Sequence, residues 1–299
     1  MTLDLKTYAS EVRVTDGAWG TELQRRGLPA GACPELWNVQ NADAVAGVAA
    51  GYVDAGSDVI ITNTFGGNRF VLAAHGAGDR VAELVVAGVA ISRHAAGRAD
   101  RNVKVFASIG PSGKIVMMGE VAVEELSAAF EESAAAAAEG GADAIVLESF
   151  GELDEIAVAL TAAGRAAPHM PVVASMTFAS GPDRTATMMG NSPGDLAAMA
   201  EANGAAGVGA NCGLGPENYV RVAELLRRAT DLPVWIKANA GLPVVAGDGT
   251  SSFPMGPEEF GACAPRLASA GANFIGGCCG TTPKHIRAIR KAIDSRPAC

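Results

Sequence analysis

Short apolar runs alternate with longer segments of helical periodicity along the chain. Most of these runs are continuous, which is typical of parallel strands that are covered on both faces. Eight runs are predicted to be strands, at residues 13–16, 59–64, 103–109, 144–149, 172–178, 207–212, 234–239 and 273–278. The clearest helical segments lie at residues 42–55, 79–96, 121–139, 153–163, 193–203, 216–228, 257–270 and 283–293. Strict alternation with eight strands predicts an α/β fold, a (β/α)8 TIM barrel.

The length of the chain fits this fold as one domain. A chain of 299 residues is normal for a single α/β barrel, and we expect one domain over residues 1–299. An open, doubly wound sheet is the structural alternative, but the sequence has no glycine-rich dinucleotide fingerprint to support it. Because 49% of the residues are hydrophobic and only 5% are aromatic, we expect a core of alanine, valine, leucine and isoleucine.

A repeated motif relates alternate strands to one another. A glycine that ends a helix, followed by small or polar residues and a strand, occurs at Gly56, Gly141, Gly204 and Gly271. The spacings correspond to about two βα units each, so the motif marks the second, fourth, sixth and eighth strands. Alternate strands of a barrel supply one layer, and active sites form at the carboxyl ends. Four pairs of residues are therefore expected at one height: Asn63–Thr64, Glu148–Ser149, Asn211–Cys212 and Cys278–Cys279.

The cysteines supply the strongest chemical signal. In a long chain without a signal peptide, cysteines are more often buried thiols or metal ligands than disulfides. Three thiolates at strand ends suit Zn²⁺ with one open position, which is the catalytic type of site. The glycine-rich run around Cys278 and Cys279 is a poor core sequence, so these two and Cys212 are the predicted ligands. A core role is expected for Cys263 and no role for Cys299, whereas Cys33 is left open.

Several sequence runs resemble the homocysteine S-methyltransferase family. Segments 209–216 (GANCGLGP) and 276–283 (GGCCGTTP) resemble its zinc motifs. Segments 16–21 (DGAWGT), 62–65 (TNTF), 147–150 (LESF) and 237–243 (KANAGLP) resemble its motifs on the first, second, fourth and seventh strands. The family includes betaine– and S-methylmethionine–homocysteine methyltransferases and the homocysteine module of cobalamin-dependent methionine synthase. The resemblance covers nearly the whole chain.

The resemblance implies an S-methyltransferase that converts homocysteine to methionine. The ligands implied for Zn²⁺ are Cys212, Cys278 and Cys279, and the metal would make the bound thiol a thiolate. No catalytic residue beyond this metal-activated thiol is implied. The substrate contacts implied are Asp16, Gly17, Thr62, Glu148 and Asn239. For Glu148 the alternative is an ion pair with a nearby arginine or lysine, and for Thr62 and Asn239 it is hydrogen bonding at a strand end.

The chain departs from the usual family pattern at two positions. Trp19 stands where methionine is common, and Phe253 aligns with a frequent tyrosine, so any hydrogen bond from that hydroxyl is missing. The four histidines form no metal motif, and His75, His94 and His285 are expected at the surface.

The methyl donor is left open by the sequence. The expected partners are homocysteine and a donor, which is S-methylmethionine, betaine or methylcobalamin on another protein; a homo-oligomer is left open. Loops 110–121, 179–191 and 240–255 are the candidate donor-facing elements. One alternative function is a thiol-activating subunit that takes methyl from a partner corrinoid protein. A zinc hydrolase is disfavoured because three thiolates make zinc a poor Lewis acid, and a non-catalytic barrel with a structural metal is disfavoured because the fourth position is open.

Charge and hydropathy narrow the class of partner. A formal net charge of −9 disfavours nucleic acid, whose phosphates such a surface would repel. No apolar run reaches transmembrane length, and no basic amphipathic stretch suits a membrane surface. We therefore expect a cytoplasmic protein.

Overall fold

Eight parallel strands form the centre of the computed structural model, which describes residues 2–245 and 251–296. The strands are β1 (Arg13–Val14), β2 (Val59–Ile61), β3 (Lys104–Ile109), β4 (Ala144–Phe150), β5 (Val172–Met176), β6 (Gly207–Cys212), β7 (Val234–Ala238) and β8 (Phe274–Gly277). Hydrogen-bonded neighbours follow the order β1–β8–β7–β6–β5–β4–β3–β2. A parallel bridge between Thr15 and Val59 joins β1 to β2 and closes the sheet. The predicted (β/α)8 TIM barrel is confirmed.

Twelve helices lie in the described part of the chain. They are α1 (Leu5–Tyr8), α2 (Gly20–Arg25), α3 (Trp37–Gln40), α4 (Ala42–Asp54), α5 (Arg69–Ala73), α6 (Val81–Gly97), α7 (Val123–Glu139), α8 (Leu153–Ala166), α9 (Pro193–Ala202), α10 (Pro216–Ala229), α11 (Pro257–Ser269) and α12 (Pro283–Asp294). The eight predicted helices correspond to α4 and α6–α12. The four others have six residues or fewer, too short to show a helical period.

The loops add three smaller elements. Two 3₁₀ turns are formed by Pro34–Leu36 and Val116–Met118, and Val244–Val245 pairs with Ser251–Ser252 in an antiparallel hairpin after β7. Residues 246–250, part of a loop predicted to face the donor, lie outside the described residues, as does Cys299.

The repeated glycine motif joins strands at the amino end of the barrel. The backbone N–H of Val14 donates to Asp58 Oδ2 at 2.8 Å, and that of Val105 donates to Asp143 Oδ2 at 2.8 Å. In the fourth copy the N–H of Val234 donates to Asn273 Oδ1 at 2.9 Å. In three of the four copies, the side chain at the third position of the motif therefore accepts a hydrogen bond from the backbone of a neighbouring strand.

The core contains aromatic side chains as well as the predicted aliphatic ones. Phe106, Trp235 and Phe274 are all fully buried, with ring centroids 5.4 to 6.1 Å apart. Because β3 is not a neighbour of β7 or β8 in the sheet, the contacts of Phe106 with Trp235 and Phe274 cross the barrel interior. Alanine, valine, leucine and isoleucine supply most of the buried side chains, as expected, and these rings fill part of the remaining space.

The described helices are short compared with a membrane-spanning helix of about 20 residues. Helices α6 and α7, at 17 residues each, are the longest in the described part of the chain. Over residues 2–245 and 251–296, none of the helices combines the length and the apolar character needed to span a bilayer. The cytoplasmic location stays a prediction.

Candidate metal and thiol site

Three cysteine side chains meet at the carboxyl end of the barrel. Cys212 is the last residue of β6, and Cys278 and Cys279 directly follow β8, with β7 between the two strands. Their sulfur atoms lie within 4.8 Å of one another, and each residue is partly exposed. Among the described residues this is the only group of three or more potential metal ligands. The predicted convergence of the three sulfurs is therefore present in the folded chain.

The turn at Cys212 has an unusual backbone. Cys212 has a φ of 65°, in the left-handed region that residues other than glycine rarely adopt, and so does Ser149 at the end of β4. The buried hydroxyl of Tyr219 on α10 lies 2.8 Å from the carbonyl oxygen of Cys212 and 3.0 Å from that of Asn211. These contacts hold the strained turn in place, as is common at functional sites.

The Cys278–Cys279 turn is fixed by backbone bonds to its neighbours. The N–H of Cys278 donates to Ala238 O at 2.6 Å, and the N–H of Ala240 donates to Cys279 O at 2.9 Å. A Cβ atom at Gly276 would lie 1.9 Å from the Thr15 hydroxyl oxygen, so β8 passes too close to β1 for any side chain there. The glycines before the cysteines are therefore required by strand packing.

The three thiols interact closely with one another. Hydrogen bonds from Cys278 and Cys279 lower the pKa of Cys212. The bond to Cys212 raises the pKa of Cys278, and it raises that of Cys279 to about 12. A divalent cation bound by the three sulfurs would displace their thiol protons.

An unsatisfied oxygen lies beside this group. Asn239 donates from Nδ2 to Gly213 O at 3.1 Å, but its Oδ1 is buried without a hydrogen-bond partner among the described residues. The side chain also lowers the pKa of Cys212, which places it next to that sulfur. The three sulfurs are a donor set that fits a metal ion, and the orphaned amide oxygen is a polar group beside them that has no partner within the described part of the protein.

A cavity of about 480 Å³ opens beside the cysteines. The polar layer predicted from the repeated motif lines it, through Asn63, Glu148, Ser149, Cys212, Cys278 and Cys279. Of the five predicted substrate contacts, Gly17, Thr62 and Glu148 line this cavity, whereas Asp16 and Asn239 are not among its lining residues. Lys237 and Trp19, to which the sequence assigned no contact, also form part of the wall.

The carboxylate of Asp16 is fully occupied by other groups of the protein. It is completely buried and lies 2.5 Å from Lys237 Nζ through Oδ1. Its Oδ2 accepts from Trp19 Nε1 and from the backbone N–H of Ile61, both at 2.8 Å. Asp16 thus ties the end of β1 to β2 and β7.

Glu148 keeps one carboxylate oxygen free. Ser108 Oγ donates to Oε1, and no described residue donates to Oε2. The predicted alternative, an ion pair within 4.0 Å of a lysine or arginine, is not found in the described part of the chain. Burial raises the pKa of Glu148, while Lys237 and the Ser108 bond act in the opposite direction. This carboxylate is the acidic group best placed to meet a ligand in the cavity.

Thr62 and Asn211 bond to neighbouring strand ends. Thr62 Oγ1 lies 2.5 Å from Thr64 Oγ1 and accepts from the N–H of Ser108, so the alternative of strand-end bonding is observed. Asn211 Oδ1 accepts from Ser149 N at 2.8 Å and from Ser175 Oγ at 2.7 Å, which joins β6 to β4 and β5.

Sequence reasoning overlooked Lys237 as a site residue. The signal was available, because a lysine in the apolar strand Val-Trp-Ile-Lys-Ala is out of place unless it is paired.

Two other cysteines, Phe253 and His285 lie outside the group of three sulfurs. Cys263 is buried in α11, as expected, and Cys33 is buried with its sulfur 3.1 Å from Glu35 Oε2. Phe253 packs against Gly280, next to Cys279. The surface prediction was wrong for His285, which is 5% exposed because the loop before α11 covers it and Met255 O lies 3.0 Å from its Nε2.

A sequence model of the homocysteine S-methyltransferase family matches residues 13–293. The chain belongs to this family. It is 35% identical over 306 residues to methionine synthase of Mycobacterium tuberculosis and 34% identical over 309 residues to methionine synthase of Mycobacterium leprae. Each match covers 97% of this chain and 25% of the relative, so the chain spans about a quarter of the length of these relatives.

A solved structure of the family shares the same barrel. The metallated form of homocysteine methyltransferase MmuM from Escherichia coli has a TM-score of 0.77 and 25% identity, covering 94% of this chain and 96% of that one. Its apo form has a TM-score of 0.72 at 24% identity, covering 95% and 96%. This homocysteine S-methyltransferase family member therefore superposes over nearly its whole length on MmuM, and the two chains are of similar length.

Proposed function

We propose that this protein is a zinc-dependent methyltransferase that transfers a methyl group to the thiol of homocysteine to give methionine. The observation that carries the proposal is the meeting of three sulfurs on the wall of a cavity that also exposes Glu148. Family membership and the names of the relatives agree with it.

Zinc would be held by Cys212, Cys278 and Cys279. Sulfur donors favour zinc over harder ions such as magnesium, and three protein ligands leave a position for the substrate thiol. When bound, the metal supplies one effect, which is to keep a thiol with an ordinary pKa near 8.5 as a nucleophilic thiolate at neutral pH.

The amino-acid end of homocysteine would be held by other residues that line the same cavity. The free oxygen of Glu148 faces the substrate ammonium group, and the missing side chain of Gly17 lets the backbone approach the substrate. A Cβ atom at Gly17 would lie 2.7 Å from the hydroxyl oxygens of Thr281 and Tyr52, so the packing of these side chains against the backbone also requires glycine here. Asp16 and Thr62, the latter on the cavity wall, would support the site by fixing the strand ends.

A second candidate function differs in the source of the methyl group. The loops after β3, β5 and β7 carry exposed apolar side chains at the same end of the barrel. These side chains, here called the apolar rim, are Met117, Met118, Met188, Leu242 and Val244. Such a rim suits contact with another protein better than with water. It favours the version in which the methyl group arrives on a partner corrinoid protein.

The test is to incubate the zinc-loaded protein with homocysteine and one donor at a time, and to measure methionine. The donors are S-methylmethionine, betaine, free methylcobalamin and a methylated corrinoid protein. We expect methionine with at least one donor, and a requirement for the corrinoid protein would select the second candidate. The absence of methionine with every donor would remove both candidates.

Matched cysteine variants test the metal site in the same assay. Cys212→Ala is expected to lose stoichiometric zinc, measured by atomic emission, together with methionine formation. Cys263→Ala is the control, because it removes a buried cysteine of α11 outside the cavity. Full zinc content in Cys212→Ala would contradict the assigned ligands.

A further inference from the structure

Lys237 is a buried cation in the wall of the cavity. It lies on β7, its side chain is 1% exposed, and its Nζ is 2.5 Å from Asp16 Oδ1. Removing an ammonium group from water is costly, and a well-packed apolar pair of similar volume is often as stable as a buried ion pair. Strand packing alone therefore gives no reason for a lysine in this position.

The charges around Lys237 supply such a reason. Within the part of the chain that the structure describes, it is the only lysine or arginine that lines the cavity. It contacts Asp16 after β1, and it shares the cavity wall with Glu148 at the end of β4, Cys212 on β6 and Cys278 after β8. Two buried carboxylates near one cavity repel each other, and a buried cation in its wall offsets that repulsion.

The two carboxylates differ in what else they bind. Asp16 has its oxygens filled by Lys237, Trp19 and the Ile61 backbone. Glu148 has one hydrogen bond, from Ser108, and its second oxygen accepts from no described residue. Glu148 is thus the carboxylate whose ionisation depends on the surrounding charges.

We propose that Lys237 is a positioning residue that acts through Glu148, keeping it a carboxylate with one oxygen free for the ammonium group of the amino-acid substrate. The part that names the substrate rests on the proposed function. No bond is made or broken in this role.

The physical basis is the balance of effects on Glu148. Burial and the negative charges of Asp16 and Cys212 raise its pKa, whereas Lys237 is the largest influence that lowers it, ahead of the Ser108 bond. Cys279, the remaining neighbouring titratable group, is in turn affected by Glu148. Without Lys237, Glu148 would take up a proton at a higher pH and lose its charge attraction for an ammonium group.

The experiment compares two variants, because Lys237→Met alone would leave Asp16 as an unpaired buried charge and destabilise the fold. Asp16→Asn removes one carboxylate and keeps Lys237, whose ammonium group retains the amide oxygen at position 16 as an acceptor and Glu148 as a countercharge in the same cavity. Asp16→Asn/Lys237→Met removes both members of the ion pair, and urea denaturation checks that both variants are folded. Infrared spectra of the zinc-loaded proteins then report the protonation of Glu148 directly. Adding Glu148→Gln to the double variant identifies its carbonyl band.

We expect a protonated carboxylic acid band at neutral pH in the double variant, absent from Asp16→Asn and lost when Glu148→Gln is added. A double variant with no such band overturns the proposal. This measurement needs neither substrate nor turnover. If the band is present but the wild type forms no methionine with any donor, the proposed function fails while the role of Lys237 stands.

Substrate kinetics distinguish this role from a purely structural one, because a structural ion pair would not change the KM or the pH profile. We expect the KM for homocysteine to be higher in the double variant than in Asp16→Asn, by roughly tenfold for each pH unit by which the assay lies below the raised pKa of Glu148. The acid limb of kcat/KM should move to higher pH, with a smaller change in kcat. Equal KM values and superimposable pH profiles would contradict the proposal.

Discussion

At the residue scale, neighbouring side chains on β6 perform different tasks. Cys212 carries a sulfur into the cavity from a left-handed backbone conformation, while Asn211 bonds to Ser149 and Ser175 on the adjoining strands. The strain at Cys212 is therefore supported by bonds made one residue earlier. The reactive group and its support follow each other in sequence because successive side chains of a strand point in opposite directions.

Gly276→Ala is predicted to damage the site through packing. The new methyl group would lie 1.9 Å from Thr15 Oγ1, so β1 and β8 must separate. We expect a loss of about 1–3 kcal/mol in the free energy of unfolding and weaker zinc binding, measured by urea denaturation and metal competition.

Gly164→Ala is the matched control for this substitution. Gly164 lies within α8, and a Cβ atom there meets nothing within 4 Å. We expect it to gain about 0.5–1 kcal/mol, as alanine does in place of glycine in a helix. Equal stabilities for the two variants would show that the strands adjust freely.

Sequence reasoning predicted the sulfurs and Glu148 because both belong to a local pattern, a polar layer at a fixed distance from each repeated glycine. It did not predict that Asp16 would be occupied by Lys237, because these residues are 221 positions apart and pair only in the closed barrel. Which carboxylate is free for a ligand depends on the partners that the other has found. The sequence alone does not give these partners, because they come together only in the folded barrel.

At the scale of elements, the start of α12 connects the cysteine turn to the loop before α11. Thr282 caps the helix, and the His285 ring accepts from Thr282 N through Nδ1 at 3.2 Å. The other ring nitrogen therefore donates to Met255 O at 3.0 Å, which fixes the neutral tautomer. The edge of the ring also meets Phe260. Helical periodicity identified α12 but not the loop that covers its first turn.

Stability is predicted to fall on acidification through His285. Burial lowers the pKa of this side chain below its ordinary value of 6.5. The unfolded chain therefore takes up a proton first, and stability present above about pH 6.5 is lost as the pH falls towards the lowered pKa. Urea denaturation across this range should show the effect in the wild type and a smaller slope in His285→Gln. An unchanged slope in the variant would assign the effect to other groups.

Two of the elements that the sequence did not predict line the cavity. The short helix α2 and the turn Pro34–Leu36 contribute Thr21, Gln24 and Glu35 to its wall. Such single turns depend on tertiary contacts for their stability, since an isolated helix of this length does not form in water. The barrel and its polar layer could therefore be predicted from the sequence, whereas this part of the cavity wall could not.

At the scale of the whole molecule, the cysteine group links strands that are remote in sequence. Its sulfurs come from β6 and from the end of β8, and β8 also pairs with β1 to complete the barrel. A ligand that binds only the folded chain stabilises that chain by mass action. Metal binding and closure of the barrel should therefore reinforce each other.

Zinc is predicted to raise the thermal stability of the whole barrel. Free zinc at a hundred times its dissociation constant should add about 2.7 kcal/mol, which raises Tm by several degrees. Differential scanning calorimetry with zinc and with a chelator measures the difference. In Cys212→Ala the two scans should coincide, and a persistent difference there would indicate binding elsewhere.

The position of the paired cysteines after the last barrel strand has a consequence for biosynthesis. Translation supplies Cys212 well before the Gly-Gly-Cys-Cys run, and the sheet cannot close until β8 has emerged from the ribosome. A nascent chain that lacks its final βα unit has one sulfur and no partners for it. The three-sulfur site can therefore form only after β8 has been synthesised, and a chain that terminates before Cys278 lacks two of its three sulfurs.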